Sequence, residues 1–264
     1  MVQAISLSAE MKSKATIFIP QEVNSDIHRY FLLNGETKII KKGSSIPKSI
    51  LLHNFIYLDD GILFYIKRTN DYTRPKFVNI IIPNRLTDYH LLLEDNCTCC
   101  KTIKAARDSK IIAVPKILIT GLIETNIKLF TKFMFDSNFF MERQAALTLF
   151  LLTSSPEEKL IKFLFDILTS THTDFSSDWL PFNFKLTREE ISDVLHISVI
   201  KLDLMLGALR KKNLIKKEDN VLLINPAIFN ELSPCPLGRE DATGCKSNNM
   251  KKFKSQNMID INNT

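Results

Sequence analysis

Leu186–Ile215 reads LTREEISDVLHISVIKLDLMLGALRKKNLI, and the order of its polar and apolar residues decides the architecture of the C-terminal part. Thr187 stands where a helix N-cap belongs. Glu190, three residues on, completes a capping box in which each residue satisfies a backbone N–H of the other. Leu186 before the cap and Ile191 at the fourth helical position have the spacing of a hydrophobic staple. These signals predict a short helix from Arg188 to about Leu195, a turn at His196-Ile197, and a second helix capped by Ser198 that runs to about Lys212. Ile191, Val194, Leu195, Leu202, Met205, Leu206 and Leu209 recur at helical intervals and form the expected shared core. Asn213–Lys217 and Val221–Ile224 flank Glu218-Asp219-Asn220 and read as strand, turn and strand.

Two helices joined by a tight turn and followed by a hairpin make a winged helix-turn-helix, the unit that lays its second helix in a DNA groove. Cations gather on it: Lys201, Arg210, Lys211, Lys212, Lys216 and Lys217. A helix C-terminus attracts cations without any DNA, which accounts for Arg210–Lys212 but not for Lys201. Any helical hairpin in a packed domain can show the same apolar spacing, so the remaining chain has to weigh in.

At 264 residues the chain has room for two domains with cores of their own. Its average hydrophobic content and 7 glycines fit an ordinary globular protein. The formal charge of +6 permits a polyanionic partner without demanding one. Met1–Thr16 is polar and lacks the apolar core of a signal peptide. Ile127–Leu152, the most apolar long stretch, carries Lys128, Lys132, Asp136, Glu142 and Arg143, which speaks against a membrane span. A cytoplasmic protein with no membrane partner is expected, its 5 cysteines reduced.

Upstream, Gln21–Leu33 has helical periodicity and ends at Asn34-Gly35. From Thr37 to Val114 short β-rich runs take over: Lys38–Ile40, Phe55–Leu58, Ile62–Ile66, Phe77–Ile82, Tyr89–Leu93, Thr102–Ala106 and Ile111–Val114. Asp59-Asp60-Gly61 between the second and third reads as a hairpin turn, and the series predicts an antiparallel sandwich or barrel. Pro115 opens a short helix to Ile123, and Thr125 or Asn126 caps a long one from Ile127 to Leu152. Ile127, Phe130, Met134 and Met141 lie along one side of that helix, with Leu129, Phe133, Phe140 and Leu147 beside them. So wide an apolar surface needs cover on two sides. The β-rich part supplies one. A second copy, in a parallel pair about a two-fold axis, is the preferred source of the other, and the following helix Pro156–Leu168 is the alternative. Thr169–Phe184 is expected as a connector, and the polar stretch after Leu232 as a disordered tail.

That order, together with LTREEISDVL…LGALRKKNLI and the hairpin-like FIYLDDGILFYI at Phe55–Ile66, resembles the cyclic-AMP receptor protein and fumarate-nitrate regulator (Crp/Fnr) family of bacterial transcription factors. The resemblance spans Thr37 to Ile228. It implies an α+β fold: an N-terminal antiparallel β-roll (jelly-roll, cyclic-nucleotide-binding-like), a long dimerisation helix and a C-terminal winged helix-turn-helix. The implied divisions are a tail with a short helix over 1–35, a sensor-like roll over 36–124, the dimerisation helix and its successor over 125–170, the DNA-binding domain over 171–232, and a tail over 233–264. The implied function is a homodimeric DNA-binding transcription regulator, not an enzyme, with double-stranded DNA, its own copy and RNA polymerase as candidate partners. Thr187, Arg188, Lys211, Lys216 and Lys217 would contact the DNA backbone, with Ser198, Val199, Ile200, Lys201 and Leu204 at the groove.

The departures from the family are specific. Cyclic-nucleotide binders carry a Gly-Glu pair and later an Arg-Ser or Arg-Thr pair, whereas Thr87–Glu94 here reads TDYHLLLE and Lys101–Arg107 reads KTIKAAR. Lys101-Thr102 lacks the bidentate fork of arginine, so a cyclic nucleotide is not expected and no cofactor is implied. The groove positions, often Arg and Glu in the family, hold Val199, Ile200 and Leu204. Either specificity is AT-leaning and carried by shape and phosphate contacts, or this face docks a protein, another regulator or polymerase, on a domain that no longer reads DNA. His196 replaces the usual turn glycine. Cys97, Cys99 and Cys100 are candidates for redox or metal chemistry, but their spacing matches no zinc or iron–sulfur pattern, and incidental loop thiols are the preferred reading. No P-loop, Rossmann fingerprint, HExxH or nucleophile elbow is present, and no metal site is expected.

Overall fold

The computed structural model describes residues 16–67, 76–87, 89, 101–171, 177–182, 186–219 and 221–229. Within them, strand β2 (Asn54–Asp60) explains the layering, because its FIYL run is buried on both faces. Two antiparallel sheets sandwich one core. The first runs β1 (Glu36–Ile40), β7 (Ser109–Pro115), β2, β5 (Arg85–Leu86), and the second runs β4 (Lys76–Ile81), β3 (Leu63–Lys67), β6 (Lys101–Ala105). Ile56 and Leu58 of β2 point inward with Ile111 and Ala113, meeting Leu63, Ile81, Ile103 and Ala105 of the second sheet. Phe55 and Tyr57 point the other way, as a period of two requires.

The DDG signal does not make a hairpin. β2 pairs with β7 and β5, while β3 pairs with β4 and β6, so Asp60-Gly61 carries the chain from one sheet to the other. Gly61 has φ 101°, and a Cβ there would stand 2.3 Å from Ser109 Oγ. The corner needs glycine for a tertiary reason that local turn chemistry does not reveal.

Helices close the outer faces. Helix α1 (Ser25–Asn34), capped by Asn24, sets Ile27 and Phe31 on Phe55 and Tyr57. A short helix α2 (Lys48–His53), absent from the sequence expectation, inserts Leu51 between the sheets. The expected helix after Pro115 is two short pieces, α3 (Lys116–Thr120) and α4 (Leu122–Thr125), separated at Gly121. Asn126 then caps α5 (Ile127–Thr153) by accepting from Leu129 N at 3.1 Å. Leu129, Phe133 and Phe140 of α5 join α1 on the first sheet. Helix α6 (Pro156–Thr171) turns back and buries Leu160, Phe163, Leu164, Ile167 and Leu168.

The outer face of the second sheet is covered by the C-terminal part, so one apolar cluster includes Phe64, Ile66 and Ile80 of the sheet, α6 and the C-terminal helices. Residues 16–20, expected as the end of a polar lead-in, lie inside that cluster, with Ile17, Phe18 and Ile19 almost wholly buried. Asp166, fully buried on α6, holds them. Its Oδ2 accepts from Ile17 N at 2.7 Å and Phe18 N at 2.9 Å, and its Oδ1 accepts from Lys162 Nζ at 2.7 Å. A second buried cation, Arg85, donates to the carbonyls of Pro20 and Pro83 at 2.6 Å each, and burial brings its pKa down to about 10.

No described helix is long and apolar enough to cross a membrane. Cys97, Cys99, Cys100, most of TDYHLLLE, the Tyr89–Leu93 run beyond Tyr89, and the tail lie outside the described residues. Among the described residues no three His, Cys, Asp or Glu side chains stand close enough to share a metal ion.

Candidate nucleic-acid interface

The C-terminal unit is built by its caps. Thr187 Oγ1 accepts from Glu190 N at 3.1 Å, and Thr187 N donates to Glu190 Oε2 at 2.7 Å, starting α7 (Arg188–Leu195). The first helix ends at His196, which takes the left-handed conformation (φ 54°, ψ 43°) usually left to glycine. Ser198 Oγ accepts from Lys201 N at 3.2 Å and starts α8 (Val199–Lys211). Thr187→Ala should cost about 1 kcal/mol of stability, with Thr187→Ser close to neutral, both measured by denaturant unfolding.

Strand β9 (Ile215–Glu218) and strand β10 (Val221–Ile224) form the expected hairpin, turning through Asp219 at φ 47°. A third strand, β8 (Leu180–Phe182), pairs with β10 where the sequence suggested only a connector. It lies at the edge, where Pro181 is tolerated. Val194, Leu195, Leu202, Met205 and Leu206 form the core between the helices with Ile215 and Ile224, and Ile191 and Leu209 pack against it half-buried.

Helical geometry places Ile200, Leu204, Gly207 and Lys211 on one outward line of α8. Ile200 is 75 % exposed and Leu204 67 %, an uncommon position for aliphatic side chains on a helix whose opposite face is fully buried. Val199 is half-buried, and Ser198 is exposed. Cations flank the line. Lys201 is half-exposed and pairs with Glu157 at the start of α6, 2.7 Å away, and this contact holds the Glu157 carboxyl below its usual range. Arg188 pairs with Asp203 at 2.8 Å. Lys216 pairs with Glu218 at 2.8 Å and lies over the Trp179 ring at 4.3 Å, while Lys217 and Lys211 are exposed. Exposed ion pairs of this kind are worth about 0–1 kcal/mol, so a phosphate can displace the carboxylate at little expense.

One contact across the molecule was not legible in sequence. Arg107, just after β6, reaches both carboxylate oxygens of Glu190 at 3.3 and 3.4 Å, so the capping-box glutamate also ties α7 to the β-roll. Its partners are 83 residues apart, beyond any local pattern.

The expected seam residues of α5 divide. Ile127 and Met141 are exposed, whereas Phe130 and Met134 pack partly buried against their own chain's first sheet. The uncovered line runs instead through Phe135, Phe139, Ala145, Leu149 and Leu152, with Glu142 among them, at steps of three or four residues once Glu142 is included. Helix α6 does not cover it. Phe135 remains 71 % exposed, Leu149 61 % and Leu152 79 %.

No family model and no curated protein matches the chain. Solved structures do. FixK2 from Bradyrhizobium japonicum superimposes with a TM-score of 0.60 at 13 % identity, covering 73 % of this chain and 92 % of that one. A CooA mutant from Carboxydothermus hydrogenoformans gives 0.58 at 12 % identity over 80 % and 94 %. The c-di-GMP-responsive global regulator CLP of Xanthomonas campestris gives 0.56 at 10 % identity over 76 % and 99 %. At these identities the likeness is one of fold, and it falls on the family that the residues resemble: the chain has the fold of the Crp/Fnr regulators.

Proposed function

We propose that the protein is a homodimeric, DNA-binding transcription regulator whose α7–α8–β9–β10 unit is a winged helix-turn-helix. The observation that carries this reading is the outward line of α8, capped by Ser198, uncovered by its own chain, flanked by Lys201 and ended by Lys211. Helix α8 enters the major groove, Thr187, Arg188 and the β9 lysines meet phosphates, and the β-roll sets the position of the unit through Arg107–Glu190. The uncovered face of α5 is the seam with the second copy, so that two reading helices meet a two-fold-related site.

A charge-reversed variant, Lys201→Glu with Lys216→Glu, should bind duplex DNA at least tenfold more weakly. It should flatten the dependence of log affinity on log salt by about 0.9 for each phosphate that is no longer neutralised. Fluorescence-anisotropy titrations at several salt concentrations measure both, and unchanged binding refutes the assignment. The second reading, an adaptor that docks a protein on Ile200 and Leu204, is favoured by those side chains alone. Gel shifts on genomic fragments at two salt concentrations separate the two: saturable, sequence-selective shifts support the regulator, and indiscriminate shifts erased by salt support the adaptor.

A further inference from the structure

We propose that α8 recognises its site through thymine methyl groups, with Ile200 and Leu204 as the specificity-determining side chains. This rests on the DNA-reading function proposed above and narrows its target to thymine-rich half-sites. Neither side chain carries a hydrogen-bond donor or acceptor, so neither can discriminate guanine, cytosine or adenine by their polar edges. The one apolar feature in the major groove is the C5-methyl of thymine. Ile200 and Leu204 are separated by one helical turn and expose most of their surface, which suits them to cover methyls on neighbouring base pairs.

Gly207 points the same way independently. It continues the line one turn beyond Leu204, and a Cβ built on it meets nothing within 4 Å. The chain's own packing therefore does not require glycine there, although glycine in a helix interior is among the least favourable residues. A missing side chain on an otherwise uncovered face lets a bound backbone approach closely. The border of cations, Lys201 on one flank with Lys211 and Lys212 at the far end, matches a sugar–phosphate backbone better than a neutral or basic protein surface.

The test uses the full-length protein and duplexes enriched by it from a random pool. In the best duplex, each thymine is replaced in turn by uracil, which keeps base pairing and the O4 acceptor and removes only the methyl. The expected result is two or more thymines per half-site at which uracil weakens binding about fourfold each, the worth of one buried methyl group. Ile200→Ala with Leu204→Ala should abolish that sensitivity while leaving the salt slope intact. Because both side chains are exposed, the variant keeps its fold. Gly207→Leu should weaken binding at least tenfold without lowering the melting temperature, a pairing that a purely structural role of Gly207 would not produce. Sequence-selective binding that is indifferent to uracil overturns the methyl reading and leaves the DNA-binding function standing. Absence of any selective duplex binding overturns both, and assigns the exposed line to a protein partner.

Discussion

Asp166→Ala is expected to destabilise the protein by about 3–5 kcal/mol, the largest single-residue effect foreseen in this fold. The side chain is fully buried and takes three hydrogen bonds, two from the backbone of Ile17 and Phe18 and one from Lys162 Nζ. Alanine takes away the acceptor that a buried ammonium and two buried N–H groups share, and the loss falls in the buried interior. For a chain of this length the loss corresponds to a melting temperature lower by about 6–20 °C. Asp166→Asn keeps an acceptor for the backbone but not the charge, and should fall between alanine and the parent. Lys162→Met added to Asp166→Ala should recover part of the loss by removing a buried charge whose carboxylate is gone. Calorimetry or urea titration of the parent and these variants checks the order, and an Asp166→Ala protein as stable as the parent contradicts it.

The second large effect is on assembly. For the proposed dimer, Phe135→Glu with Leu149→Glu is expected to give a monomer in sedimentation analysis and to weaken binding to a two-fold-related DNA site by about 10²–10⁴, the avidity lost when two linked sites become independent. Both side chains are mostly exposed in the single chain, so the substitutions ask little of the protomer's own packing. In a symmetric parallel seam each lies near its own copy, and two pairs of like carboxylates, about 21 Å apart along the helix, would each be forced together. The melting temperature at low protein concentration should change little. A parent that already sediments as a monomer, or a double variant that still sediments as a dimer, removes the seam from α5.

Elements set by neighbours in sequence were legible to within a residue. The capping box at Thr187 and Glu190, the Ser198 cap, the α7 boundaries and β10 all fall where the residues put them, because each signal acts over one helical turn or one strand. Elements set from afar were not. β8 exists because β10, far later in the chain, offers it an edge. Asp59-Asp60-Gly61 carries ordinary hairpin chemistry, yet Ser109 packs against Gly61 and the chain changes sheets. Phe130 and Met134 share a helical side with Ile127, but the cluster formed by α1, the first sheet and α3–α4 takes them. In the C-terminal unit, the exposed line at Ile200 and Leu204 was visible as a departure from the polar residues the resemblance leads one to expect there. The ion pairs Arg107–Glu190 and Lys201–Glu157 join separate elements and leave no local trace.

The placement of residues 16–20 has a consequence for how this molecule can be divided. Phe18 packs edge-on against Phe150 of α5 and Phe163 of α6, and the segment is pinned by a carboxylate 149 positions beyond Ile17. The apolar cluster that joins α6 to the C-terminal helices therefore takes in material from far earlier in the polypeptide. Cutting the chain between the roll and the C-terminal helices would yield a truncated half with a greasy wound, not an autonomous module. Assembly must likewise wait until Asp166 has been made and has met Ile17 and Phe18.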